Sequence, residues 1–160
     1  DRYLLTSDPM VSAIGDCARY PSVHYPSPVR LESVQNSIDQ ARAVAVRLTG
    51  KQAPYDKLPW FWSDQGDLRL QMCGLAEETD DAVLHGDPGT GHFSVLRFRG
   101  DRLTAVESVN DSPHHMTMRK LLAFGGAISR EQAADPRFKP NGALVSGSAP
   151  TSGQKHETGP

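Results

Sequence analysis

Thr6-Ser-Asp-Pro-Met-Val-Ser-Ala13-Ile14-Gly15-Asp16 places a hydroxyl before a short apolar run, and a glycine and a carboxylate after it. Met10 to Ile14 reads as a buried strand ending in Gly-Asp. Such a strand delivers both residues to its C-terminal edge, where α/β sheets hold ligands. Gly15 lets the backbone come close to a ligand. Asp16 is placed to accept hydrogen bonds from sugar-type hydroxyls. A second set follows in Arg30-Leu-Glu32-Ser33-Val34-Gln35-Asn36, which opens a helix. A helix start has free N–H groups and the positive end of the dipole. Those groups suit carbonyl oxygens or developing negative charge. The same residues also read as a capped surface helix, with Glu32 merely favouring the dipole. The third set is Pro59-Trp60-Phe61-Trp62-Ser63-Asp64-Gln65. In an alternating strand Trp60 and Trp62 share one face and Phe61 takes the other. That arrangement serves core packing or offers an aromatic face to a planar ring.

These three sets need elements to hold them. Residues 17–31 carry Pro21, Pro26 and Pro28 and read as an ordered, extended loop. A helix is predicted from Ser33 to Thr49. Val34, Ile38, Ala41, Ala45 and Leu48 form its buried stripe, Ser33 its N-cap and Gly50 its terminator. A boundary is expected near residue 51, ahead of the segment Pro54 to Pro59. Strands are then predicted at Trp60–Ser63, Leu68–Gly74, Ala82–His85, Phe93–Arg99 and Leu103–Val109. Their alternation implies one wet and one buried face, as in an antiparallel meander. Gly86-Asp-Pro-Gly-Thr-Gly and Gly100-Asp read as hairpin turns. A helix from Met116 to Phe124 closes on Gly125-Gly126. A shorter one, Ser129 to Ala134, has Ser129 and Gln132 as a capping box. Beyond Leu144 the composition is that of a disordered tail.

Composition narrows the class. The 160 residues suit one domain, or one domain and part of another. A net charge of -2 with mixed signs argues against a nucleic-acid binder. No apolar run approaches the roughly 20 residues that span a bilayer. Cys17 and Cys73 stand apart without CxxC partners and read as free thiols of a cytoplasmic protein.

Other polar clusters read as structural. Gly86–Gly91 neither follows a long apolar strand nor opens a helix, so it is not a nucleotide loop. His114-His115 lacks a third ligand, and the pair reads as polar residues at a helix start. Asp80, Asp81 and Asp87 lack calcium-loop spacing and read as turn residues. Cys73 reads as an apolar filler in a strand. Arg119-Lys120 reads as a solvated helix face.

Taken in this order and spacing, the three sets resemble the ferredoxin reductases that serve bacterial oxygenase and cytochrome monooxygenase systems, the putidaredoxin- and rhodocoxin-reductase-like family. The blocks Arg30–Asn36 and Pro59–Gln65 are the specific parts, and the resemblance runs from about Asp1 to Leu144. It implies an α+β fold: an antiparallel β-meander sheet with flanking helices (the reductase C-terminal domain), preceded by a remnant strand and helix of an FAD-binding α/β domain. Residues 1–50 would be that remnant, 51–144 the C-terminal domain and 145–160 the tail. The family's GxGxxG strand–turn–helix and its second dinucleotide fold are missing from this sequence, so the chain reads as the C-terminal part of a reductase.

By position, the resemblance implies that Asp16 binds the ribityl–pyrophosphate portion of FAD and that Gly15 permits the approach. Val34 would sit by the flavin ring with Glu32 and Ser33 beside it. Trp62 would lie by the ring and the nicotinamide position. NAD(P)H would reduce FAD, and FAD a [2Fe–2S] ferredoxin, which Arg119-Lys120 would help to dock. No side chain is needed as a general acid or base, so no catalytic residue and no metal ligand is expected. The isolated chain is expected to be inactive. The alternative is a non-catalytic dimerisation or partner-docking module, a homodimer for example, using an exposed Trp60–Trp62 patch. A disulfide-reductase-type enzyme is set aside for want of a CxxxxC pair and a His-Pro dipeptide.

Overall fold

The computed structural model describes residues 1–51 and 53–138. A 3-10 turn at Gly15–Cys17 leads into a two-stranded antiparallel ribbon, β1 (Arg19–Tyr20) and β2 (Val29–Arg30), and then into α1 (Val34–Leu48). Five strands follow: β3 (Trp60–Gln65), β4 (Leu68–Gly74), β5 (Asp81–Asp87), β6 (His92–Arg99) and β7 (Arg102–Val109). Helices α2 (Ser112–Ala123) and α3 (Arg130–Ala134) complete the described chain. The tail expected at 145–160 lies outside the described residues.

All five predicted strands form, and every pairing in their sheet is antiparallel. The order, however, is β3-β4-β7-β6-β5 and not a plain meander. After β4 the chain crosses to the far edge and returns through two hairpins, which seats β7 in the centre. Gly74 marks that departure. Its φ is +80°, and a Cβ there would lie 2.2 Å from the Thr104 carbonyl oxygen. Only a residue without a side chain lets β4 end so close to β7.

One face of the sheet is covered by α2 and α3. Cys73, Leu96, Phe98, Leu103, Val106, Met118, Leu121, Ile128 and Ala133 form this core. Alternation along β6 and β7 puts these residues inward. Cys73 is the buried apolar filler expected of it, and its thiol is pushed up to about 12 by burial. A second, smaller cluster joins Leu4, Tyr20 and Tyr55 to Ala43 and Val44 of α1. The rings of Tyr20 and Tyr55 meet edge to face at 5.3 Å. The Tyr25 hydroxyl accepts the Leu75 N–H at 2.7 Å and so ties the N-terminal segment to the sheet.

Several expectations are corrected. Met10 to Ile14 is not a buried strand. Met10 is 90% exposed, and the segment makes a single bridge, between Leu5 and Ser12. The Asp8 carboxylate caps the Met10 N–H at 2.8 Å and turns the chain instead. No strand among the described residues lies alongside to take further ladder bonds. Helix α1 has the predicted length and its Ser33 cap, which accepts the Asn36 N–H. Its buried face is a different one. Val34, Ile38, Ala41, Ala45 and Leu48 are all exposed, while Asn36 and Gln40 are buried. The hydroxyls of Tyr20 and Tyr55 both donate to Asn36 Oδ1, which makes this polar face the better one to bury.

Helix α2 starts four residues before the predicted Met116, because Asp111 caps it and Pro113 occupies its first turn. His115, read as a polar helix-start residue, is fully buried. Asp80, read as a turn residue, is buried. Arg99 holds its carboxylate at 2.9 Å, and the Thr104 hydroxyl also donates to it. Arg119 is not simply solvated, since its guanidinium lies 3.9 Å over the Trp60 ring. The capping box of α3 forms as predicted.

Candidate cofactor site

Two of the three sequence sets converge at the start of α1. Gly15 sits in the left-handed region, with φ +75°, at the head of the 3-10 turn. That conformation favours glycine. Its buried N–H donates to Gln40 Oε1 at 2.7 Å, so α1 itself pins the turn. Asp16 follows on the exposed side. Its carboxylate accepts from Ser37 Oγ at 3.5 Å, and its backbone carbonyl accepts from Arg30 Nη1 at 3.0 Å. Arg30 Nη1 also pairs with the Glu32 carboxylate. Gly15 and Asp16 therefore stand beside Glu32, Ser33 and Val34.

The helix start is open. Ser33 satisfies the Asn36 amide, and its carbonyl accepts the Ser37 amide. The amides of Val34 and Gln35 have no acceptor among the described residues. They sit at the dipole-positive terminus of α1.

A pocket of about 220 Å³ lies here, lined by Arg30, Leu31, Glu32, Ser33, Pro59, Trp60, Phe61, Gly74 and Leu75. Complete small-molecule sites run from about 300 to 1,000 Å³. The pocket therefore fits the edge of a ring system and not a whole dinucleotide. The aromatic wall and the helix-start residues that line the pocket suit the edge of a flavin ring, while Gly15, Asp16, Val34 and Gln35 stand outside this lining.

The third set is only partly here. Trp60 and Phe61 line the pocket, whereas Trp62 does not. Trp62 is 37% exposed and its ring lies 5.3 Å from that of Trp60. Sequence reasoning missed Arg30, Ser37 and Gln40 as supports of the Gly15–Asp16 turn. The polar side chains of Ser37 and Gln40 on α1 were the available signal. Among the described residues no group of three potential metal ligands forms, and no helix is long and apolar enough to cross a membrane.

The family model for the reductase C-terminal domain matches residues 60–142. The chain is 50% identical to rhodocoxin reductase of Rhodococcus erythropolis, over 86% of this chain and 32% of that protein. The ferredoxin reductase of the CYP199A2 system from Rhodopseudomonas palustris superposes with a TM-score of 0.85 at 48% identity, over 89% of this chain and 35% of that one. The reductase in a covalent putidaredoxin reductase–putidaredoxin complex gives a TM-score of 0.83 at 36% identity, over 91% of this chain and 35% of that one.

The chain belongs to the reductase C-terminal family. It spans about a third of the length of these relatives.

Proposed function

We propose that this chain forms the C-terminal third of an FAD-dependent NAD(P)H:ferredoxin reductase and supplies half of its flavin site. The observation that carries the reading is the Gly15–Asp16 turn tied through Arg30 and Ser37 to the start of α1, next to a pocket lined by Arg30–Ser33 and by Trp60 and Phe61. When bound, the flavin supplies two-electron acceptance from a nicotinamide and one-electron donation to a [2Fe–2S] centre. The protein's part is to hold it. Asp16 would accept from ribityl hydroxyls, and Gly15 leaves room for that chain. The Val34 and Gln35 amides would donate to ring carbonyls and favour the negative charge of the reduced ring. Glu32 and Ser33 shape the helix start. Trp62, exposed beside Trp60, would cover the nicotinamide side.

The relatives support this reading by name, being reductases of ferredoxins and of putidaredoxin. A [2Fe–2S] ferredoxin is thus the proposed electron acceptor, in a soluble cytoplasmic system. The test is a chimera in which this chain replaces the corresponding third of rhodocoxin reductase. The chimera is expected to purify with bound FAD and to reduce a [2Fe–2S] ferredoxin with NADH. A folded chimera that stays colourless with added FAD overturns the reading.

A further inference from the structure

Arg30 has no good reason to be an arginine on grounds of stability. It sits on β2 directly opposite Arg19 of β1, a like-charge pair across a ribbon only two residues long. Such pairs are destabilising. Its partner Glu32 is 60% exposed and Arg30 itself 51% exposed, and ion pairs so exposed contribute little. A residue that breaks a local rule without a folding benefit marks a functional demand. The geometry shows where that demand lies. One nitrogen, Nη1, donates to the Asp16 carbonyl at 3.0 Å and also to the Glu32 carboxylate. It therefore ties the Gly15–Asp16 turn to the residues just ahead of the α1 cap, and it lines the pocket between residues 30–33 and Trp60–Phe61.

We propose that Arg30 is a positioning residue. It fixes the distance between the Asp16 carboxylate and the open amides of α1, so that both meet one ligand together. Gln40 holds the same turn from the buried side through the Gly15 N–H. Arg30 holds it from the solvent side, where nothing else among the described residues bonds to the Asp16 carbonyl. This inference rests on the flavin reading, and it adds a residue that acts through Asp16 and Glu32 rather than on the cofactor.

The experiment uses the whole chain, labelled with nitrogen-15, as wild type, Arg30→Met and Arg30→Lys. Two readouts are taken. The first is hydrogen exchange at the Ala18 amide, which bonds to the Gly15 carbonyl and closes the turn. The second is FAD affinity, followed at the Val34 and Gln35 amides. A single lysine nitrogen has donors enough for both acceptors, whereas methionine matches the length without them.

Arg30→Met is expected to speed Ala18 exchange and to weaken FAD binding about tenfold, the scale of one charge-assisted hydrogen bond. Arg30→Lys is expected to stay within about twofold of wild type in both readouts. If Arg30→Met matches wild type in both, the proposal fails. It also fails if lysine and methionine lose equally while the circular-dichroism spectrum is unchanged. If FAD shifts no amide in the wild type, the flavin reading fails, and Ala18 exchange alone judges whether Arg30 holds the turn.

Discussion

Acidification should destabilise this protein through two histidines that no catalytic role requires. His114 lies on α2 with its ring stacked 4.1 Å from that of His85 and nearly parallel to it. Its Nδ1 is 3.0 Å from Ser94 Oγ, Ser94 Oγ donates to Ser108 Oγ at 2.8 Å, and Ser108 Oγ lies 3.2 Å from His115 Nδ1. His115 is wholly buried and its Nε2 has no partner among the described residues. A second proton on either ring would put a positive charge on a mostly buried side chain with no acceptor at Nε2 among the described residues. Burial lowers both imidazoles from 6.5 to about 4; His85 adds to the effect at His114, Arg119 adds to it at His115, and Asp111 opposes it at both.

The sign follows directly. The unfolded chain takes up these protons near pH 6.5, while the native chain resists them down to about 4. Stability is therefore complete above 6.5 and falls as the pH drops toward 4. A tenfold difference in proton affinity is worth about 1.4 kcal/mol, so at pH 5 each imidazole costs about 2 kcal/mol. The pair together removes about 4 kcal/mol, against the roughly 5–15 kcal/mol by which native domains are stable. The assay is urea unfolding at pH 7, 6 and 5, for wild type and for His114→Gln/His115→Gln. The wild type should lose about 4 kcal/mol between pH 7 and pH 5, and the double variant should lose about 1 kcal/mol or less. Equal losses in the two proteins would refute the reasoning.

Three further predictions concern single sites. Gly74→Ala would force a Cβ against the Thr104 carbonyl at a positive φ, and should destabilise the chain by about 2 kcal/mol or more, read as a shift in the urea midpoint. Asp80, held near pH 2 chiefly by its hydrogen bond from Arg99, contributes stability that is present above about pH 4 and lost as the pH falls toward 2. Because Arg99 is half exposed, Asp80→Asn should cost about 1–2 kcal/mol at pH 7 by the same assay and flatten the profile below pH 4. Thiol titration of the native chain should modify exposed Cys17 and spare buried Cys73, with both reacting in denaturant.

Much of the fold was legible in local pattern. The strands announced themselves by alternation at Leu68–Gly74 and Phe93–Arg99, and α1 by its Ser33 cap and Gly50 stop. What local pattern could not convey was pairing. The crossover that puts β7 beside β4 depends on Gly74 and on long-range register, and neither leaves a periodic trace.

The wrong face of α1 has a clear cause. An apolar stripe names a buried face only when something apolar lies opposite. Here Tyr20 and Tyr55 lie opposite, and they bond Asn36. Met10 to Ile14 failed for a related reason, since apolar residues make a strand only beside another strand. At the site, Gly15, Asp16, Glu32, Ser33 and Val34 were recognisable as residue types. Their proximity came from struts at Arg30, Ser37 and Gln40, whose role is visible only in three dimensions. Trp60 and Phe61 line the pocket, while Trp62 lies outside that lining with its ring against Trp60.

The most direct test of the account is a map of amide shifts in the nitrogen-15-labelled wild-type chain as FAD is added. The account predicts movement confined to Asp16, Val34, Gln35 and the Trp60–Phe61 segment, even where affinity is weak. Shifts centred elsewhere, such as on the outer edge at β5 or on the His85–His114 cluster, would contradict it, as would no shift at all in a folded chain.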